Sequence, residues 1–248
     1  MFSEELFLLA VSAYTRIAIT QSLDYQKLAQ AVIYLPIIGW LVGMVAGITF
    51  FIACFFLPKL TAILFAIAMG IFITGALHED GLADVCDGFG GGFDKTQILT
   101  IMKDSHIGVF GVLGLLLAIG LKVVSLNEFS VHDIPFILFA GHTISRFSSL
   151  QIMFCYDYAR IENSKIRLAT KKLTWCELIF AAVFAFVPLL FLLPQSFLLI
   201  GLLIIATAFL GRYFFRKIGG YTGDCLGASQ QISESLFYVL LSGLWKFI

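Results

Sequence analysis

The run His78-Glu79-Asp80-Gly81-Leu82-Ala83-Asp84-Val85-Cys86-Asp87-Gly88 concentrates acids among small residues. On a helix, Asp80, Asp84 and Asp87 fall at i, i+4 and i+7, which puts three carboxylates on one stripe. Like charges so placed repel one another and call for a compensating cation. A hard divalent ion with oxygen ligands is the natural candidate. Glu79 points about 100° away from the stripe on the same geometry, so it receives a lesser role. Gly88-Phe89-Gly90-Gly91-Gly92 reads as a flexible stretch that permits close backbone approach. A helix-like segment, Phe93 to Lys103, leads to Asp104-Ser105-His106-Ile107-Gly108. Asp104 could return to the same metal from a second helix. Mg²⁺ held by a few carboxylates and substrate phosphates is the usual arrangement for phosphoryl transfer. The competing reading is a solvated acidic loop. Against it, the acids share one stripe and do not alternate with lysines. Asp94, followed by Lys95-Thr96-Gln97, reads instead as a helix N-cap.

A second run, Gly219-Gly220-Tyr221-Thr222-Gly223-Asp224-Cys225-Leu226-Gly227-Ala228, opens the last apolar segment. Glycines with Thr222 and Asp224 at a helix mouth could admit a ligand to the backbone, or simply cap and pack the helix. Glu234 lies about two turns further on, and a carboxylate inside a membrane span reads as functional by default. Gln231 and Ser235 are its candidate partners. Arg146, in His142-Thr143-Ile144-Ser145-Arg146, must meet an anion: a substrate phosphate, Glu234 or an acid of the first run. His78, His106 and His142 lack a metal-ligand spacing, which argues against zinc.

The elements that must carry these residues are membrane helices. Of 248 residues, 60% are hydrophobic and only 13% charged, far from the composition of a soluble domain. Seven stretches approach the length of a bilayer crossing: 31–57, 60–78, 107–126, 134–154, 177–193, 197–215 and 224–245. Pro36 could tilt or kink the first, and Pro194-Gln195 would turn a tight hairpin between the fifth and sixth. Residues 3–19, interrupted by Ser12, Thr15 and Arg16, read as an interfacial amphipathic helix. The expected fold is therefore all-α: a single integral membrane domain over residues 1–248, a polytopic bundle of about seven transmembrane helices in the lipid bilayer. With the N-terminus cytoplasmic, Arg16, Lys27, Lys95, Lys103, Arg160, Lys165, Arg167, Lys171, Lys172, Arg212, Arg216 and Lys217 face inward, 12 of the 16 basic residues. Lys122 falls near an outer helix end. Every conspicuous polar motif then lies in or beside 79–106, 155–176 and 216–223, on the cytoplasmic side. The basic stretch from Arg160 to Lys172 reads mostly as topology and attraction to anionic lipid. The formal net charge of +0 argues against nucleic acid as a partner. Five scattered cysteines without a CxxC read as reduced apolar residues. Glu4 and Glu5, where a signal peptide would be basic, argue against a cleaved leader.

Asp84-x-x-Asp87-Gly88 at a membrane edge resembles the CDP-alcohol phosphotransferases, though the Ala-Arg pair of that family is missing between Phe89 and Lys95. The chain more closely resembles the cobalamin synthase family, the adenosylcobinamide-GDP ribazoletransferases of bacterial vitamin B12 assembly. The likeness rests on Thr15-Arg16-Ile17, Leu35-Pro36-Ile37-Ile38-Gly39 and the central His78-x-Asp80-Gly81-Leu82-Ala83-Asp84-x-x-Asp87-Gly88. It continues through Met102-Lys103-Asp104-Ser105 with Gly108 and Gly111, Ser145-Arg146, Tyr158-Ala159-Arg160 and Gly219-Gly220-x-Thr222-Gly223-Asp224-x-Leu226-Gly227-Ala228. Ala18 stands where the family often has Pro, and Gln231 where an acid can occur.

The resemblance implies an enzyme of the cytoplasmic (inner) membrane. It would join adenosylcobinamide-GDP to α-ribazole, or its 5′-phosphate, giving adenosylcobalamin, or its 5′-phosphate, and GMP. Mg²⁺ is the implied cofactor. On this reading Asp80, Asp84, Asp87 and Asp104 hold the metal, and Asp87 or Asp104 accepts the attacking hydroxyl's proton. Lys103, Ser105, Arg146, Arg160, Thr222 and Asp224 contact substrate. A homo-oligomer is compatible with the sequence. A transporter would also suit seven spans with Arg146 and Glu234, but no inverted repeat is visible and the acids cluster on one face.

Overall fold

A computed structural model describes residues 3–159, 172–192 and 194–246. They are helical throughout, apart from connections and one isolated parallel bridge between Tyr158 and Tyr221. The first helix, α1 (Glu4–Tyr14), is capped by Ser3, whose hydroxyl accepts the Leu6 N–H at 3.3 Å. It ends where Thr15 turns extended, well short of residue 19. Its apolar side, Leu6, Leu9 and Ala10, is buried in the bundle core. Phe7 meets the Tyr34 ring edge-on. The amphipathic face of α1 is thus covered at least partly by protein.

A short α2 (Leu28–Ala31) and a 3-10 turn (Val32–Tyr34) run into α3 (Leu35–Ala53), with Pro36 in the first turn of α3. Proline is tolerated there because that N–H has no intrahelical partner to lose. Next come α4 (Lys59–Thr74), α5 (Leu77–Gly91), α6 (Lys95–Ile101), α7 (Val109–Asn127) and α8 (Ile134–Cys155). The chain closes with α9 (Trp175–Phe186), a 3-10 turn (Val187–Phe191), α10 (Leu198–Ile218) and α11 (Gly223–Trp245).

The acidic run does not ride on a continuation of the second span, as the sequence suggested. Gly75 (φ +67°) and Ala76 (φ +59°) both adopt left-handed backbone, and α5 leaves α4 at 90°. Left-handed conformation is open to glycine; at Ala76 it costs about 1 kcal/mol. A Cβ at Gly75 would also strike the Arg16 guanidinium, which lies against this corner. The glycines after Asp87 are not a flexible linker either. They continue α5 to Gly91, and a Cβ at Gly88 or Gly90 would collide with Met102 or Phe110. Close approach, not looseness, is their contribution.

At the centre, α8 packs along α3 and α11. Gly39, Gly43 and Gly47, one turn apart on α3, bring the two backbones together: a Cβ at Gly39 would sit 2.6 Å from the His142 carbonyl oxygen. Small residues at four-residue spacing are the usual means of close helix packing in membranes.

Among the described residues, three helical segments are long and apolar enough to cross a bilayer: Tyr25–Ala53, Val109–Asn127 and Leu198–Ile218. The bent pair α4–α5 makes a fourth if taken as one span. The expectation of seven therefore overcounts by this criterion. The reason is physical. Helices α8 and α11 have 22 and 23 residues, long enough to cross, but they carry polar side chains into the interior. Their apolarity is diluted where no lipid touches them. Helix α9 is simply short, at 12 residues.

Candidate active site

Helix α5 presents Asp80 to solvent, with Asp84 and Asp87 half-buried further along the same face. At about 1.5 Å rise per residue, the first and last carboxylates of the stripe stand roughly 10 Å apart along the axis, so one ion cannot touch all three. Among the described residues, no three of His, Cys, Asp or Glu converge closely enough to cage a metal. Mg²⁺ does not need a cage: one or two carboxylates and substrate phosphates suffice. The all-oxygen donor set of α5 fits that shared form of binding.

Asp87 has a second job. Its Oδ2 accepts the Gly108 N–H at 2.6 Å and its Oδ1 accepts the Gly111 N–H at 2.8 Å. Gly108 is the N-cap of α7 and has no capping side chain of its own. The carboxylate of one helix therefore caps the next, where the positive end of the macrodipole favours an anion. Each Asp87 oxygen keeps a further lone pair.

Asp104, with Lys103 and Ser105 on either side, lies exposed in the connection between α6 and α7. Its Oδ1 meets the His106 Nδ1 at 2.6 Å and the His106 backbone N–H at 3.1 Å. The side-chain bond, then the backbone bond, holds the Asp104 carboxyl below its usual range. The same contact raises the His106 imidazole. Asp94 caps α6 as its sequence context indicates, accepting the Gln97 N–H at 3.0 Å.

The second motif comes to the first. Gly81 of α5 lies against Asp224: a Cβ there would be 2.8 Å from the Asp224 carbonyl oxygen. One turn away, a Cβ at Gly227 would meet the His78 backbone at 3.3 Å. Thr222 is the N-cap of α11, accepting the Cys225 N–H at 3.3 Å and donating to Asp224 Oδ2 at 3.2 Å. The Tyr158 segment joins the same place. The Ala159 N–H donates to the Tyr221 carbonyl at 2.8 Å, and the Tyr221 N–H donates to the Asp157 carbonyl at 3.1 Å. Burial, then the neighbouring Tyr158, pushes the Tyr221 hydroxyl up to about 12. Arg160 itself lies outside the described residues. The described parts of the three segments assigned to one face from charge thus meet at one end of the bundle. At the opposite end, Lys59 donates to the carbonyls of Asn127 and Phe129, and Phe129 packs on Trp245.

Inside the bundle lies a polar network that the sequence only partly signalled. Glu234 pairs with Lys122 at 3.0 Å and accepts from Gln230 Nε2 at 2.7 Å and the Tyr238 hydroxyl at 3.3 Å. His142 Nδ1 is 3.4 Å from Glu234, without hydrogen-bond alignment. Lys122, five residues before the end of α7, is only 3% exposed and turns into the bundle. Ser235 is not a partner of Glu234; its hydroxyl donates to the Ala118 carbonyl at 3.4 Å. Lys122 could have been suspected from sequence, because a lone lysine in an apolar helix requires a buried anion. Arg146 is 1% exposed and donates Nη1 to the His142 carbonyl at 2.6 Å. It forms no ion pair with a carboxylate among the described residues, but lines one small cavity with Glu79, Glu234, Lys122 and His142.

Residues 6–242 match the family described as cobalamin-5-phosphate synthase. An adenosylcobinamide-GDP ribazoletransferase of Shewanella amazonensis is 39% identical, covering 98% of this chain and 96% of that protein. One of Ralstonia pickettii is 41% identical, covering 92% and 91%. One of Shewanella baltica is 40% identical, covering 96% and 93%. No solved structure matches. Both the family match and the relatives take in the α5 acids and the α11 motif together, and the chain belongs to the cobalamin-5-phosphate synthase family.

Proposed function

We propose that this chain is a Mg²⁺-dependent adenosylcobinamide-GDP ribazoletransferase of a bacterial cytoplasmic membrane, with its active site on the cytoplasmic face. The observation that carries the reading is near full-length similarity to proteins of that name. The meeting of α5 with the α11 mouth supports it, because it supplies acids and polar groups at one end of the bundle. The bias of Lys and Arg toward that end supports the cytoplasmic orientation.

A free ribose hydroxyl of α-ribazole, one that its 5′-phosphate also retains, attacks the phosphorus that stays attached to cobinamide. The bond from that phosphorus to the oxygen bridging it to the GMP phosphorus breaks, and GMP leaves. Bound Mg²⁺ supplies charge neutralisation for the pyrophosphate. Asp80 and Asp84 are the residues best suited to hold an ion with the phosphates; Asp87, roughly 10 Å from Asp80 along the helix, and Asp104 would serve a second one. Asp87 or Asp104 accepts the hydroxyl proton. Lys103 and Ser105 on the exposed α6–α7 connection, Arg160, and Thr222 with Asp224 contact the substrate, together with Arg146, which like Thr222 is fully buried.

The test is GMP release by the purified protein from adenosylcobinamide-GDP and α-ribazole, with CDP-diacylglycerol as a parallel donor. Release from the first pair, abolished by EDTA and restored by Mg²⁺, is expected. No GMP at any Mg²⁺ concentration, or turnover of CDP-diacylglycerol alone, would overturn the assignment.

A further inference from the structure

We infer that Glu79 and Gln231 are positioning residues that set the roll of α5, and with it the direction of the Asp80–Asp84 face; this rests on the function proposed above. Glu79 sits about 100° around the helix from Asp80, so it can point into the bundle while the acids point out. It does so. Glu79 Oε1 accepts from Gln231 Nε2 at 2.8 Å, across 152 residues of sequence. Gln231 in turn accepts from Lys122 Nζ at 2.7 Å through its Oε1. Lys122 is pinned by its pair with Glu234 at 3.0 Å.

Gln231 is 3% exposed and Glu234 2%, so water has little access to their side of these bonds, while Glu79 is half-buried. Gly81 and Gly227 bring the backbones of α5 and α11 close, and close approach of bare backbone does not by itself oppose rotation. A hydrogen-bonded side chain does oppose it. The far end of the stripe is fixed separately, by Asp87 on the N-terminus of α7. Asp80 and Asp84 therefore lie between two anchors along the helix, Glu79 just before them and Asp87 about one turn after. If the inner anchor is cut, α5 can turn about the outer one and carry both acids away from the phosphates. Misplacement by about 1 Å is enough to cost roughly a hundredfold in rate.

The experiment compares E79Q, E79L, Q231E and Q231M with wild type in GMP release, in the Mg²⁺ concentration for half-maximal rate, and in thermal midpoint. E79Q keeps the acceptor oxygen and should stay within about twofold of wild type. E79L and Q231M should lose kcat by about tenfold or more and need more Mg²⁺, with KM for adenosylcobinamide-GDP little changed. Q231E keeps the Lys122 contact but faces Glu79 with a like charge, and should resemble Q231M. E79L combined with Q231M should be no worse than either alone, since both cut the same bond. An active wild type with unchanged kcat in E79L and Q231M would overturn this inference alone. So would losses that follow the thermal midpoint with unaltered Mg²⁺ requirement. A wild type that releases no GMP overturns the proposed function and this inference with it.

Discussion

Asp87 on α5 takes the N–H of Gly108 at 2.6 Å and so caps a helix whose N-cap lies 21 residues later. The residue expected to serve metal or proton transfer also holds two helices in register. Its substitution should therefore separate stability from chemistry. In Asp87→Asn one acceptor oxygen and the charge are lost, leaving a single bond to the α7 terminus. The thermal midpoint in detergent should fall, corresponding to about 1 kcal/mol. Asp87→Ala should fall further. A midpoint unchanged in both variants would show that the cap contributes nothing.

Gly81 marks the closest approach of α5 to α11, at the Asp224 backbone. Gly81→Ala places a methyl group against main chain that cannot rotate away. The helices must separate, at a cost of about 1–3 kcal/mol. GMP release should drop together with the thermal midpoint. Gly120→Ala is the control, since nothing lies within 4 Å of a Cβ at that position; it should leave both readouts at wild-type level.

Breaking the Lys122–Glu234 pair should cost more than deleting it. Lys122→Met strands a buried carboxylate, worth about 3 kcal/mol or more of destabilisation. Adding Glu234→Gln removes the stranded charge and should recover much of that loss. Thermal unfolding of the two single variants and the double variant measures this directly, and strict additivity would contradict it.

The Asp104–His106 contact predicts a shifted titration. The His106 imidazole is raised by its bond to Asp104, so its protonated form persists above the ordinary histidine range. The sign follows from that direction. The charged contact is complete below the ordinary histidine value and is lost as pH rises through the raised one. On the acid side it is lost only as pH falls through the depressed Asp104 value. An NMR titration of His106 should give a midpoint above that of an unpaired histidine. Asp104→Asn should bring it down. An identical midpoint in the variant would show that the contact does not persist in solution.

Much of the site is legible from local periodicity. The i, i+4, i+7 spacing placed Asp80, Asp84 and Asp87 on one face of a helix and turned Glu79 off it, because residue rotation in a helix is a property of the backbone alone. The Asp94 cap was readable for the same reason. Charge asymmetry grouped the three motif-bearing segments, and they do meet at one end of the bundle. What no local rule contains is the partner across the fold. Gln231 finds Lys122 over 109 residues and Glu79 over 152, while Asp87 finds Gly111 over 24. The corner at Gly75–Ala76 was hidden too, since an apolar stretch running into an acidic one reads as a single helix until packing bends it by 90°. The sequence by itself determined that this chain is apolar and helical and that its three motif acids share one helical face. Only the tertiary structure decided which acid points to solvent, which caps a helix and which turns inward to Gln231, because those roles depend on side chains that meet through space and not along the chain.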